Sequence, residues 1–256
     1  MTAPVFLAEP CALDGYAVGA EYVLEGAEAR HAGVVQRRRP GERVDVVDGR
    51  GVRLECRITA VDPGRLTLLV EGRQDEPPRA VRLVLVQALA KGDRDEMAVE
   101  AATEVGVDEV VPWQAARSVV VWRGERAAKS RARWVATVRE ATKQSRRAHL
   151  PGVAAAVDTP GLVRLVAEVG AAGGVTLVLH EAAATPLADV RLPDDAGQDA
   201  RVLIVVGPEG GIADEELAAL TGAGAFAVRL GPHVLRTSTA GPVALALLCA
   251  RLGRWT

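Results

Sequence analysis

Aromatic residues are scarce in this chain, with two Phe, two Tyr and four Trp among 256 residues. A chain this long buries a sizeable core, so aliphatic side chains and alanine must fill it. Cysteine is rarer still. Cys11, Cys56 and Cys249 are far apart, odd in number and form no CxxC pair. That argues against a disulfide framework or a zinc site and fits a reducing cytosol. His31, His149, His180 and His233 make no HExxH motif and no cluster, so no metal is expected. Neither GxxxxGK[ST] nor GxGxxG occurs, which disfavours enzymes of nucleoside triphosphates and dinucleotides. The N-terminal stretch MTAPVFLAEP has no basic segment followed by a long apolar run, so no secretory signal is expected. The run Val243 to Ala250 is too short to span a bilayer. The expectation is a cytoplasmic protein with neither membrane nor metal partners.

Charge, by contrast, is concentrated. The net charge is only −2, yet residues 117–150 hold ten Lys/Arg against two acids, an excess of +8. Residues 181–222 hold two Arg against nine acids, an excess of −7. A solvated helix face needs no such local excess, so a polyanion such as nucleic acid is favoured as a partner of the basic stretch.

Two grammars divide the chain. Residues 1–73 read as a small β-rich unit, with Val44–Val47, Val52–Val61 and Leu66–Val70 as strands between Gly, Asp and Pro turns, the pattern of a barrel or sandwich. Residues 74–80 read as a linker, because Gln74-Asp75-Glu76-Pro77-Pro78 breaks both helix and central strand. From Val81 to the end, strands alternate with helices. Val81–Ala90, Asp108–Pro112, Val175–Leu179, Val202–Val206 and Ala225–Leu230 are the apolar runs, and Asp93–Val105, Arg126–Ser145, Asp214–Thr221 and Thr239–Leu252 are the helical stretches. This order implies an α/β fold with a mostly parallel sheet covered on both faces. Ligands of such sheets sit at the carboxyl ends of the strands.

Two strand ends carry unusual loops. The first is Gly207-Pro208-Glu209-Gly210-Gly211, and the second is Leu230-Gly231-Pro232-His233-Val234-Leu235-Arg236-Thr237-Ser238-Thr239-Ala240. Glycines without Cβ let main chain approach a ligand closely, though they equally serve a tight strand-to-helix turn. Glu209 fits either the dipole of the following helix or a ligand cation or sugar. Arg236 fits either a helix-start ion pair or a fixed guanidinium facing an anionic or carbonyl group. Thr237, Ser238 and Thr239 are each able to cap the last helix or to bond a substrate. His180 and Glu181 sit at a third strand end, and His233 reads as a surface residue. On the helix from Arg126, the spacing of Arg139, Lys143 and Arg146 places them on one face, opposite Val135, Val138 and Ala141. Arg37-Arg38-Arg39 precede a Pro-Gly turn, either as a solvated cluster or facing a partner.

At these residues the chain resembles the bacterial 16S ribosomal RNA (uracil-N3)-methyltransferases of the SPOUT superfamily. The segments His31–Arg37, Pro40–Glu42 and Asp48–Gly51 are similar to the family's PUA-like barrel. Lys91–Arg94 with Glu96, Ala101–Val107, Arg117-Ser118, Glu140–Arg147 and the two loops match its catalytic part in order. At Ser238 the family more often carries glutamate. The resemblance implies a trefoil knot in the C-terminal half, rare enough that pattern alone never suggests one, and a homodimer. It implies S-adenosylmethionine held by Gly207, Glu209, Gly210 and Gly211 and by Leu230, Gly231, Val234, Leu235, Arg236, Thr237 and Ser238, with Leu179, His180 and Glu181 as a third wall. The partner is 16S rRNA or the small ribosomal subunit, gripped by Arg37, Arg38 and Arg39, by Lys91, Arg94 and Arg117, and by Lys143, Arg146 and Arg147. Arg236 is the first candidate to stabilise charge on the uracil ring, and Glu209 or a water stands as candidate base. A ribose 2′-O-methyltransferase on the same scaffold and a non-catalytic rRNA-binding assembly factor remain as alternatives.

Overall fold

The computed structural model describes residues 3–193 and 200–255. The chain forms two compact units, one of Met1–Pro78 with Thr142–Leu150, the other of Arg79–Ala141 with Pro151–Thr256.

The first unit is a five-stranded sheet of β1 (Val5–Leu7), β2 (Glu21–Glu25), β3 (Arg43–Val47), β4 (Val52–Asp62) and β5 (Arg65–Asp75), in the order β1-β3-β4-β5-β2. All pairs are antiparallel except β1 with β3. Alternation puts Leu54, Cys56 and Ile58 of β4 into a core with Phe6, Leu66 and Leu68. Burial pushes the Cys56 thiol up to about 12, so it packs as a small hydrophobe. The outer face is laced with ion pairs such as Arg57 to Glu71 at 2.6 Å. A short helix α1 (Gly26–Arg30) runs into a π-helical turn, His31–Val35.

Two expectations change here. Gln74 and Asp75 are paired in β5 opposite Arg53 and Val52. Arg73 clasps Asp75 at 2.7 Å, and the neighbouring strand supplies the order that polar composition alone denies. The unit is also discontinuous. Arg53 donates to the carbonyl of Arg146 at 2.7 Å, Gly51 to that of Ala148 at 3.2 Å, and Ala148 packs with Val5, Leu7 and Val47.

The second unit is built on β6 (Val81–Ala88), β7 (Glu109–Gln114), β8 (Gly152–Val153), β9 (Val157–Asp158), β10 (Val175–Leu179), β11 (Ala200–Val206) and β12 (Phe226–Val228). The order is β12-β10-β11-β6-β7-β8, with β9 also on β7, and every pairing is parallel. Its helices are α2 (Arg94–Val105), α3 (Glu125–Gln144, whose last turn belongs to the first unit), α4 (Thr159–Ala171), α5 (Asp214–Gly222) and α6 (Thr237–Arg251). Val84 and Val86 pack with Leu162, Val166 and Val169 of α4 and Leu220 of α5. On the other face α6 closes on β6 at Gly241, where a Cβ would lie 2.8 Å from Leu85 Cδ1. Helices thus cover both faces, as expected.

The expected strand Ala225–Leu230 shortens to Phe226–Val228, because Arg229 instead exchanges main-chain bonds of 2.8 Å with Thr185 and Leu187. The helix expected to reach Ser145 stops at Gln144. Arg146 takes a left-handed φ of 57°; Arg146 N–H bonds Lys143 O and Arg147 N–H bonds Thr142 O. This is a Schellman termination. Arg146 therefore lies beyond the helix, and the shared face expected for Arg139, Lys143 and Arg146 does not extend to it.

Candidate active site

Because β10, β11 and β12 run parallel, their carboxyl ends open on one side. Three connections leave there: Leu179–Glu181 after β10, Gly207–Ala213 after β11, and the segment from Leu230 into α6 after β12. Together with Arg94 and Arg117 they line a cleft of about 640 Å³, well within the span of small-molecule sites.

The first glycine loop is tied down at successive residues. Gly207 permits the turn back onto Ile212, since a Cβ there would stand 2.7 Å from Ile212 Cγ1. Its carbonyl accepts the Thr237 hydroxyl at 2.8 Å, and Thr237 Oγ1 accepts the Gln87 amide at 2.8 Å. Gln87 and Thr237 are both buried. The Glu209 carboxylate accepts the Lys91 main-chain N–H at 3.1 Å and the Arg94 guanidinium at 3.0 Å. Burial pushes the Glu209 carboxyl up. Main-chain N–H groups of Glu209 and Lys91, together with Arg94, outweigh it and hold the group below its ordinary range. The Gly210 carbonyl accepts Arg117 Nη1 at 3.1 Å.

Of the expected cofactor residues, Leu179, His180, Glu181, Gly207, Glu209, Gly210, Gly211, Val234, Leu235, Arg236 and Thr237 line this cleft. Leu230 and Gly231 line a smaller adjoining hollow of about 80 Å³, beside His233 and Arg229. Ser238 lies half-buried in the first turn of α6 and lines neither. None of the three hydroxyls caps α6. Arg236 is its N-cap residue, without a side-chain cap bond; Thr237, Ser238 and Thr239 already lie inside the first turn, and the Thr237 hydroxyl is committed to Gly207.

Arg94 and Arg117, expected to grip RNA, line the cleft as well. No sequence motif marks Gln87; its one signal is that it is the polar side chain of the strand's inner half, flanked by Val86 and Ala88. Lys91, Arg37, Arg39 and Arg146 are exposed. Arg38 is held by Glu42 at 3.2 Å and Gln36 at 3.0 Å. The Lys143 ammonium lies 3.3 Å from Glu28 with both side chains largely covered, and Arg147 is half-buried. Among the described residues no cluster of His, Cys, Asp or Glu fits a metal ion, and no helix is long and apolar enough to cross a membrane.

The second unit is thus an α/β domain with a fully parallel sheet and a main-chain-lined cleft at the carboxyl ends of its strands, the class of site that takes a small molecule. The family model of the RNA methyltransferase domain matches residues 77–249, and that of the RNA methyltransferase PUA domain matches residues 24–71. A Ribosomal RNA small subunit methyltransferase E of Mycobacterium bovis is 48% identical over 93% of this chain and 89% of its own. Its counterpart in Bacillus subtilis is 28% identical over 89% of each. The crystal structure of such an enzyme from Neisseria gonorrhoeae, bound to S-adenosyl methionine, superposes with a TM-score of 0.84 at 27% identity, covering 98% of both chains. The chain belongs to the ribosomal RNA small subunit methyltransferase E family. Its second unit is accordingly of the knotted SPOUT type and its first is PUA-like, as the ordered motifs lead one to expect.

Proposed function

We propose that this chain transfers a methyl group from S-adenosylmethionine to N3 of a specific uridine in 16S rRNA of the small subunit, acting in the cytoplasm as a homodimer. The observation that carries the reading is the cleft, where Arg236 stands at the mouth of a helix beside a wall of main chain. The residues present suit the cofactor. Its size is compatible with about 640 Å³, Gly207 and Gly210 remove the two Cβ atoms that would press on Ile212 and Arg117, and Leu179, Val206 and Leu235 offer apolar surface for a purine. When bound, S-adenosylmethionine supplies an electrophilic methyl on a sulfonium.

The chain's own residues do the rest. Arg236, fixed at the start of α6, offers donors to the uracil carbonyl where negative charge gathers as N3 loses its proton. The loops hold cofactor and base in reach of each other. Glu209 is a poor base, since it stays ionised and already accepts from Arg94 and Lys91. It serves to position the loop, which leaves proton removal to water.

Two copies would pair over α2 and α6, where Met97, Val243 and Leu247 stand exposed, with the exposed Trp255 just past the end of α6. Val243 and Leu247 are one turn apart on the same face. Leu247→Asp is expected to give a monomer by light scattering. The decisive experiment is tritiated methyl transfer to small subunits lacking the modification, followed by nucleoside analysis. Label in N3-methyluridine is expected. Label on a ribose 2′-oxygen, or no turnover, overturns the reading.

A further inference from the structure

The connection from β7 to α3, residues 115–124, has a pinned base and an apolar tip. At its start the Ala116 N–H donates to Glu216 Oε1 at 2.8 Å, an oxygen that also accepts the Thr159 hydroxyl at 2.6 Å. Glu216 is itself buried. The next residue, Arg117, holds the Gly210 carbonyl at 3.1 Å. At the far end the Trp122 N–H donates to Gln114 Oε1 at 3.2 Å. The Trp122 ring is buried edge-to-face against Trp134, with centroids 5.2 Å apart. Between these anchors Val119 is 73% exposed and Val121 43% exposed. An unanchored loop would be free to fold two valines inward, whereas this base holds them out.

The surroundings decide what the tip meets. Arg117 and Arg123 flank it, and Arg126 and Lys129 follow on α3, all exposed, with Glu125 as the one acid from 117 to 139. Apolar side chains ringed by cations suit a polyanion whose apolar interior lies between its charges. That describes stacked nucleic-acid bases, which apolar wedges part elsewhere. Arg117 also lines the cleft, so the tip begins two residues from the place where a base must arrive.

We infer that this loop is an RNA wedge. Val119 and Val121 enter the stack vacated when the target base swings into the cleft, and Arg117 and Arg123 hold the flanking phosphates. This rests on the reading of the substrate as RNA and deepens it: the substrate is a structured RNA whose target base is stacked before reaction.

The test uses an rRNA fragment with 2-aminopurine beside the target uridine. Binding of the full wild-type chain is expected to raise its fluorescence, and Val119→Ser/Val121→Ser to abolish the rise while leaving S-adenosylmethionine affinity within about twofold. Methyl transfer to the structured fragment should fall about tenfold or more, with a much smaller fall on an unpaired oligonucleotide of the same sequence. Val119→Ile/Val121→Leu should retain both signals. No wild-type rise, a wild-type rise in the serine variant, or a changed mass by light scattering (the tip then seating on a second copy) overturns the wedge. The fluorescence arm needs no turnover. A rise without methylation would therefore fail the enzymatic reading and leave the wedge standing.

Discussion

Gly207–Gly211, which lines the cleft, and Leu230–Leu235, whose Val234 and Leu235 line it while Leu230 and Gly231 line the adjoining hollow, are built differently. The first loop is tied through Gly207 to Thr237, through Glu209 to Arg94 and Lys91, and through Gly210 to Arg117. Among the described residues the second shows no such ties, and Val234 is 78% exposed. A fixed wall sets where a ligand lies. A wall with few bonds of its own opens at low free-energy cost and offers its apolar side chains once a ligand has arrived. The division of labour resembles that of a bench and a clamp.

The comparison breaks most visibly at Gly207. Gly207→Val places atoms inside contact distance of Ile212, and S-adenosylmethionine binding by calorimetry should be lost; native affinity would mean the fixed wall is not the seat. Next comes Arg236, where the open wall meets α6. Arg236→Ala should lower kcat by about 10²–10³ with little change in cofactor affinity, measured under single-turnover conditions. Thr237→Val removes the tie to Gly207 and leaves the Gln87 amide and the Gly207 carbonyl without it. A loss of about 1–3 kcal/mol in denaturant unfolding is expected, together with weaker cofactor binding, and Thr237→Ser should restore both.

Hydrogen exchange sharpens the contrast further. Adding cofactor should slow the amides of Gly231 and His233–Leu235 several-fold and those of Glu209–Gly211 far less. The smallest effect belongs to Glu209→Gln. Its carboxyl is held low in the folded chain, so its contribution is present above the ordinary value of 4.5 and disappears as pH falls through the folded value. The pair with Arg94 is partly exposed, so the difference should be about 0–1 kcal/mol. In melting temperature it should be visible at neutral pH and gone in strong acid.

The sheet was legible because its strands are nearly continuous apolar runs, the mark of burial on both faces. β11 and its loop read almost to the residue. Helix α4 was not legible. Gly161 and Gly170 and the valines at 163, 166 and 169 argue against a helix by propensity, and tertiary packing of Leu162, Val166 and Val169 overrides them. Its start is set by Asp158 accepting the Gly161 N–H at 2.8 Å, and Asp158 with Pro160 in the first turn is a helix-start signal that the low propensity of the following residues obscures. The two cleft loops were legible as glycine after a strand. The buried chain from Gln87 through Thr237 to Gly207 was not, because 150 positions separate its first two members and no spacing rule joins them. Charge counting located the basic stretch but did not tell Lys143, facing Glu28, from Arg123, which stands in water.

The left-handed turn at Arg146 sends the polypeptide back to complete the small β-sheet it left at Pro78. A fragment ending at Pro78 would lack Ala148, and Val5, Leu7 and Val47 would face solvent. The PUA-like unit is thus no detachable cassette. Ribosome-bound synthesis must run past Leu150 before it can mature, and any gene fusion that grafts only the first 78 codons would inherit an unfinished sheet.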